Sequence, residues 1–204
     1  MGFRLRAAGA PQIGYYIVDA SAAVGAGEFV QKDFEHASKV KEEDYITIIT
    51  GKTAKLFEAA SKSGVAVANA DSSMLEALGD FSFNIGLAFQ IVDDTLDVTG
   101  DPHSTGKAVG TDLIEGKPTL PVIYAMQDKV HGPRLVELFE KVDVTMDDVR
   151  EALELIRATD SVKRCRARAE EYVDQAIRCL DPVPDSIYKN SLLSLAHYIG
   201  SRDR

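Results

Sequence analysis

The chain has 204 residues, 45% hydrophobic and 27% charged, and its 32 acidic against 23 basic side chains give a net charge of −9. That balance excludes a disordered or collagen-like chain, and the length suffices for a packed core without disulfide or metal staples. No apolar run approaches the roughly 20 residues of a membrane span, no uninterrupted apolar stretch follows Arg4 and Arg6 as a secretory signal requires, and the acidic surplus is the opposite of a nucleic-acid footprint.

In chain order, the first segment with a clear signal is contradictory. Tyr45 to Thr50 is β-branched and alternating, which suggests a strand, but it runs directly into the strongly helical stretch Lys52 to Ala60. With no second strand to pair with, it is expected to be helix. From Ser72 to about Val98, apolar residues recur at Met74, Leu78, Phe81, Ile85, Phe89, Val92 and Leu96, in steps of three and four. A Gly- and Pro-bearing break follows from Thr99 to Pro118. Further helices are expected from Pro133 to Lys141, Met146 to Ala158, Ser161 to Leu180 and Pro184 to Gly200. Thr145, Asp160 and Asp181 are their expected N-caps, and Pro184 suits a first helical turn. No repeat or linker divides the chain, so one all-α domain over residues 1–204 is expected, an antiparallel helical bundle.

Cys165 and Cys179 are fourteen residues apart on one expected helix, about 21 Å, too far for a disulfide. Two reduced thiols fit a cytoplasmic protein. His36, His103, His131 and His197 are scattered and form no metal-binding spacing.

The residues that carry chemistry lie at the end of the long helix. At about 100° per residue, Gln90, Asp93, Asp94 and Asp97 share a stripe about 100° wide. Carboxylates so arranged repel one another unless a cation sits among them. Toward the N-terminus the same stripe becomes Gly79, Phe83, Gly86 and Leu87. The helix is therefore apolar nearly all round and buried, with the carboxylates at the mouth of an interior space and small glycines leaving room beneath them. After the helix come Lys107, Asp112 and Lys117. Carboxylates in a row with lysines returning over them suit Mg²⁺ bridged to a diphosphate, which also explains how an acidic protein holds an anion. An EF-hand starting at Asp93 fails, because its sixth and twelfth positions are Val98 and Ser104. A phosphate-binding P-loop fails because five residues, not four, separate Gly100 from Gly106 and Gly110 from Gly116.

FQIVDDTLDVTGDPHSTGKAVGTDLIEGKPTLP, residues 89–121, resembles the second aspartate-rich motif and lysine loop of the trans-isoprenyl diphosphate synthases, or polyprenyl synthetases. DYITIITGKTAKLFEAA, with Lys52 and Thr53, resembles that family's KT helix, and Gly27 to Gln31 resembles its GE-x-x-Q helix. The resemblance implies the isoprenoid-synthase helical bundle and a Mg²⁺-dependent head-to-tail condensation, in which an ionised allylic diphosphate is attacked by isopentenyl diphosphate. By matching position, Asp93, Asp94 and Asp97 hold Mg²⁺; Lys52, Lys107 and Lys117 contact the allylic diphosphate. Thr53 and Gln90 steady the carbocation, Asp112 supports the lysine loop, and Phe83 and Leu87 line the tunnel for the growing chain. The family's first DDxxD motif has no counterpart before Asp93, and Arg4 and Arg6 are the only arginines before Arg134. The expectation is therefore half of an active site, without the family's N-terminal helices, and a chain impaired or inactive alone. The alternatives are a half-site or non-catalytic subunit of a heteromeric synthase, and a helical diphosphate- or metal-binding module. Apolar surface left uncovered predicts a homodimer or higher oligomer.

Overall fold

The computed structural model describes residues 11–100 and 109–202, and no strand occurs among them. The helices are α1 (Gln12–Asp33), α2 (Glu42–Ile49), α3 (Lys55–Val67), α4 (Ser72–Thr99), α5 (Thr111–Ile114), α6 (Leu120–Met126), α7 (Gly132–Phe139), α8 (Met146–Arg157), α9 (Ser161–Cys179) and α10 (Ile187–Gly200). Between α2 and α3 the chain does not leave the helix but widens it into a π turn, Thr50–Ala54. The β-branched run is thus helical as expected, with an irregularity that propensity does not register.

The central element is α4. The Asp71 carboxylate caps it by accepting the Met74 N–H at 2.9 Å, and it runs 28 residues, about 42 Å. It packs against α3, α9, α10 and α6, so it is buried on nearly every side, as a helix without a polar face must be. Phe81, Ile85, Leu87, Ile91 and Val92 join Tyr45, Ile49, Ile123, Val173 and Leu180 in the larger of two hydrophobic clusters. The smaller cluster lies between α5, α6, α7 and α8, around Leu135, Phe139, Val149 and Ile156. Gly110 turns into α5 at φ +80, where the close approach of Val149 and Leu153 admits no side chain.

The expected ends are met unevenly. Thr145 forms a reciprocal capping box: its hydroxyl accepts the Asp148 N–H at 3.2 Å, and the Asp148 carboxylate accepts the Thr145 N–H at 3.0 Å. Asp160 stands at the N-cap of α9 but caps nothing; the Thr159 hydroxyl instead accepts the Ser161 N–H at 3.2 Å. The last helix starts at Ile187 rather than Pro184, because Ser186 takes the cap from the Lys189 N–H at 3.1 Å, while Asp181 lies in the preceding turn. Cys165 and Cys179 are both free thiols. Among the described residues no helix is long and apolar enough to cross a membrane.

Candidate functional site

The site is assembled where α1 crosses the π turn. A Cβ on Gly51 would lie 2.7 Å from the Ala23 carbonyl oxygen and 3.2 Å from Gly27 Cα, and one on Gly27 would lie 3.1 Å from the Ile48 carbonyl oxygen. The two backbones all but touch, which only glycine at both positions allows. That proximity brings Lys52, on the π turn, onto the exposed edge of α1. Its Nζ lies 3.0 Å from the Glu28 carboxylate and also donates to the Gln31 side-chain carbonyl. The Gly27-Glu28-x-x-Gln31 pattern is a mount for one ammonium group.

One residue further on, the π turn aims Thr53 at α4. The Thr53 hydroxyl donates to Gln90 Oε1 at 2.7 Å, Gln90 Nε2 donates to Asp94 Oδ1 at 2.8 Å, and the Tyr45 hydroxyl donates to Asp94 Oδ2 at 2.6 Å. Asp94 is 6% exposed and Tyr45 2%. Burial, then repulsion from Asp112, pushes the Asp94 carboxyl up to about 7, although the bonds from Tyr45 and Gln90 pull the other way. Burial and the Asp94 charge push the Tyr45 phenol well above its ordinary range.

Asp97 and Asp112 are also raised, each by burial first; repulsion from Asp112 adds to it at Asp97, and Lys117 opposes it at Asp112. The Asp112 N–H donates to the Asp97 carboxylate at 3.3 Å. Lys117 Nζ lies 3.5 Å from Asp112 and pairs with Glu115. Burial pulls the Lys117 ammonium down, and those two carboxylates outweigh it, so it is held above its usual value. Asp93, less buried than Asp94 and Asp112, lies 3.9 Å from the Arg202 guanidinium.

Gln31, Lys52, Tyr45, Gln90, Asp94, Asp112 and Lys117 are among the residues that line a cavity of about 70 Å³, with Asp93 and Asp97 outside that lining. Thr119 lines it too. It sits at the N-cap of α6 without capping it, and its buried hydroxyl has no protein partner. Among the described residues no three acidic, histidine or cysteine side chains stand close enough to hold one ion between them. The donor set nevertheless suits a hard divalent cation: its oxygens are carboxylate, and they raise one another's proton affinity. Magnesium characteristically takes one or two carboxylates and completes its shell with water and substrate oxygens.

Of the residues singled out from the sequence, Lys52, Thr53, Gln90, Asp94 and Lys117 are brought together, with Asp97 linked to them through Asp112. Lys107 lies outside the described residues. The space expected beneath the glycines is filled by the π turn and α3: a Cβ on Gly86 would lie 2.7 Å from Ala54 Cα, and one on Gly79 would meet the stem of Lys62. These glycines serve close helix packing rather than entry of a ligand. Leu87 is 2% exposed, within the core. Phe83 is half-buried at the edge of that core, 5.4 Å beneath the Lys55 ammonium. Tyr45 and Thr119 escaped the sequence reading. A buried tyrosine carries no local signal of a partner 49 positions away, and a Thr before Leu-Pro reads as an ordinary helix cap.

Comparison with known proteins agrees with this fold. The family model for polyprenyl synthetases matches residues 4–156. The chain is 36% identical over 185 residues to octaprenyl diphosphate synthase of Escherichia coli (strain K12), covering 89% of this chain and 56% of that protein. It is 35% identical over 159 residues to heptaprenyl diphosphate synthase component 2 of Geobacillus stearothermophilus, covering 78% and 49%. The polyprenyl synthase of Caulobacter crescentus CB15, solved with calcium and isoprenyl diphosphate, superposes with a TM-score of 0.90 at 34% identity, over 99% of this chain and 62% of that one. The chain spans about half the length of the curated relatives it matches.

Proposed function

The chain belongs to the polyprenyl synthetase family, the prenyltransferases of isoprenoid biosynthesis, and from that premise we propose that it carries the allylic half of a prenyl-transfer site. The carrying observation is the convergence of Lys52, Lys117, Gln90, Asp94 and Asp112 on one small polar cavity, with Thr53 bonded to Gln90 and Asp97 to Asp112.

In this reading Lys52 and Lys117, with Lys107, bind the diphosphate of the allylic substrate and stabilise its charge as the carbon–oxygen bond breaks. Asp93 and Asp97 are the carboxylates that would hold Mg²⁺, while Asp94, the third member of the expected set, is engaged by Tyr45 and Gln90. When bound, that ion neutralises the departing diphosphate. Thr53 and Gln90 present their dipoles to the allylic carbons, where positive charge develops. Isopentenyl diphosphate then attacks, and loss of a proton completes the condensation. Asp112 steadies Lys117, and Phe83 borders the space for the growing chain. Leu87, inside the core, backs it rather than lining it.

The sequence holds no DDxxD pattern before Asp93, and in this reading its one cluster of carboxylates serves the allylic diphosphate alone. We therefore expect this chain by itself to bind diphosphate with Mg²⁺ but to condense slowly or not at all. A partner chain that completes the site is a second reading, favoured by the likeness to a synthase component named as one of a set. Tyr15, Val18 and Phe29 stand exposed along α1, and this reading has them covered by a second copy or by that partner. This reading has the reaction in the cytoplasm, where two free thiols would stay reduced.

The test mixes the purified chain with Mg²⁺, an allylic diphosphate and isopentenyl diphosphate, and follows binding by calorimetry and product by chromatography. Binding with little product is expected. Failure to bind diphosphate in the presence of Mg²⁺ sinks the reading, and robust product from the chain alone sinks the half-site part of it.

A further inference from the structure

Asp94 stands in the middle of the acidic stripe, yet neither of its oxygens is free. Oδ2 takes the Tyr45 hydroxyl at 2.6 Å and Oδ1 the Gln90 amide at 2.8 Å, with both Asp94 and Tyr45 buried. Its neighbour Asp93 has a side chain 46% exposed. At pH 8, where its carboxyl is ionised, Asp94 accepts hydrogen bonds and cannot donate one. Whatever faces Asp94 must therefore be a donor, and this dictates the orientation of everything beyond it. Gln90 must turn its NH₂ toward Asp94, so its Oε1 must face Thr53. The Thr53 hydroxyl, 2.7 Å from that oxygen, must then give its hydrogen to Gln90, leaving only lone pairs for anything else it meets.

We propose that Asp94 and Tyr45 are positioning residues: their buried hydrogen bond fixes the direction of the Asp94–Gln90–Thr53 chain, while Asp93 and Asp97 are left to hold the cation. Without the tyrosine hydroxyl the Asp94 carboxylate can rotate, the Gln90 amide gains a second orientation, and Thr53 is free to turn its O–H toward the cavity. The importance of outward lone pairs at Thr53 rests on the reading given under Proposed function; the orientation of the chain does not.

The test, run at pH 8, compares the full chain with Tyr45→Phe, Asp94→Asn and Asp93→Asn. Side-chain amide resonances of Gln90 are followed by ¹⁵N NMR, and binding of inorganic diphosphate with Mg²⁺ is followed by calorimetry. In Tyr45→Phe and in Asp94→Asn the Gln90 amide shifts and its hydrogens exchange with water at least about tenfold faster. In Asp93→Asn they do not, yet diphosphate affinity falls about tenfold or more, well beyond the fall in Tyr45→Phe or Asp94→Asn. Asp94→Asn conserves volume and decides the matter should Tyr45→Phe fail to fold. An unmoved Gln90 amide overturns the proposal, as does an Asp94→Asn loss of affinity equal to that of Asp93→Asn. If the wild-type chain binds no diphosphate, the proposed function falls, and the Gln90 amide still decides this inference.

Discussion

Around α7 and α8 the chain finishes its helices with side chains that have no other task. Thr145 and Asp148 close a capping box, the Asp128 carboxylate accepts the N–H groups of Val130 and His131 at 2.9 and 2.8 Å, and Arg134 grips Glu151 through two nitrogens while also reaching Glu137. Beneath them lies a purely hydrophobic cluster. Around α2, α4 and the π turn the same chain breaks those habits. It buries a carboxylate, leaves the Thr119 hydroxyl without a partner, interrupts a helix and crowds two acids onto one face. The first region is organised to stay folded. The second holds groups in arrangements that only a bound cation or anion would fully relieve, and such violations of local consistency are the mark of a working site.

Four measurements test that division. The largest effect is expected from Lys52→Ala, which removes the ammonium held by Glu28. Mg²⁺-dependent diphosphate binding should fall about 100-fold while the melting temperature scarcely moves, because Lys52 and Glu28 are both partly exposed. Loss of stability without loss of affinity would place Lys52 with the scaffold. The converse is Ile156→Ala in the smaller cluster, where the side chain is fully buried. About 3 kcal/mol of stability should go, with diphosphate affinity intact well below the melting point.

Next comes pH. The Asp94 carboxyl is raised to about 7 in the fold, so between its unfolded value near 4 and that point the folded state binds the extra proton. The metal-free chain should thus be more stable at pH 5 than at pH 8, by about 2 to 3 kcal/mol from this group. The benefit fades as pH rises through about 7, and Asp94→Asn should flatten the profile. A curve as steep in the variant as in the wild type would assign the dependence to other groups. The smallest effect is Thr145→Ala, about 1 kcal/mol from the lost cap, read in the denaturant midpoint with no change at the site.

The same division explains what could be read from the sequence. The course of α4 was legible because Phe81, Ile85 and Val92 repeat at helical spacing. Thr145 was legible as a cap because its partner is three residues away. Lys52, Thr53, Gln90 and Asp94 were legible as a set only through the motif resemblance. What stayed hidden depends on the third dimension. Tyr45 reaches Asp94 across 49 positions. Gly86 looked like an opening and is the seat of Ala54 and Phe57. Asp181 and Pro184 carried a good start signal, but Ser186 offered a better-placed hydroxyl, and the helix began there. Propensity scales distinguish helix from strand; they do not distinguish a helix of regular pitch from one with a widened turn.

That widened turn has a consequence for how this chain tolerates insertions and deletions. A π turn accommodates one residue more than the α turn it interrupts, so Thr50–Ala54 is geometrically what a single extra codon does to a continuous α2–α3 helix. Removing one residue there would restore regular pitch with α2 and α3 still in phase, whereas removing one from α2 or α3 outside the turn would rotate everything downstream by about 100° relative to what lies upstream. If α3 kept its seat on α4, Tyr45 and Ile49 would be swung out of the core; if α2 kept its own, Phe57 would leave Gly86. One-residue deletions across Glu42–Val67 are therefore expected to harm stability least within these five positions, at the expense of the Lys52 and Thr53 placements, and a deletion scan should show its sharpest losses on either side of them.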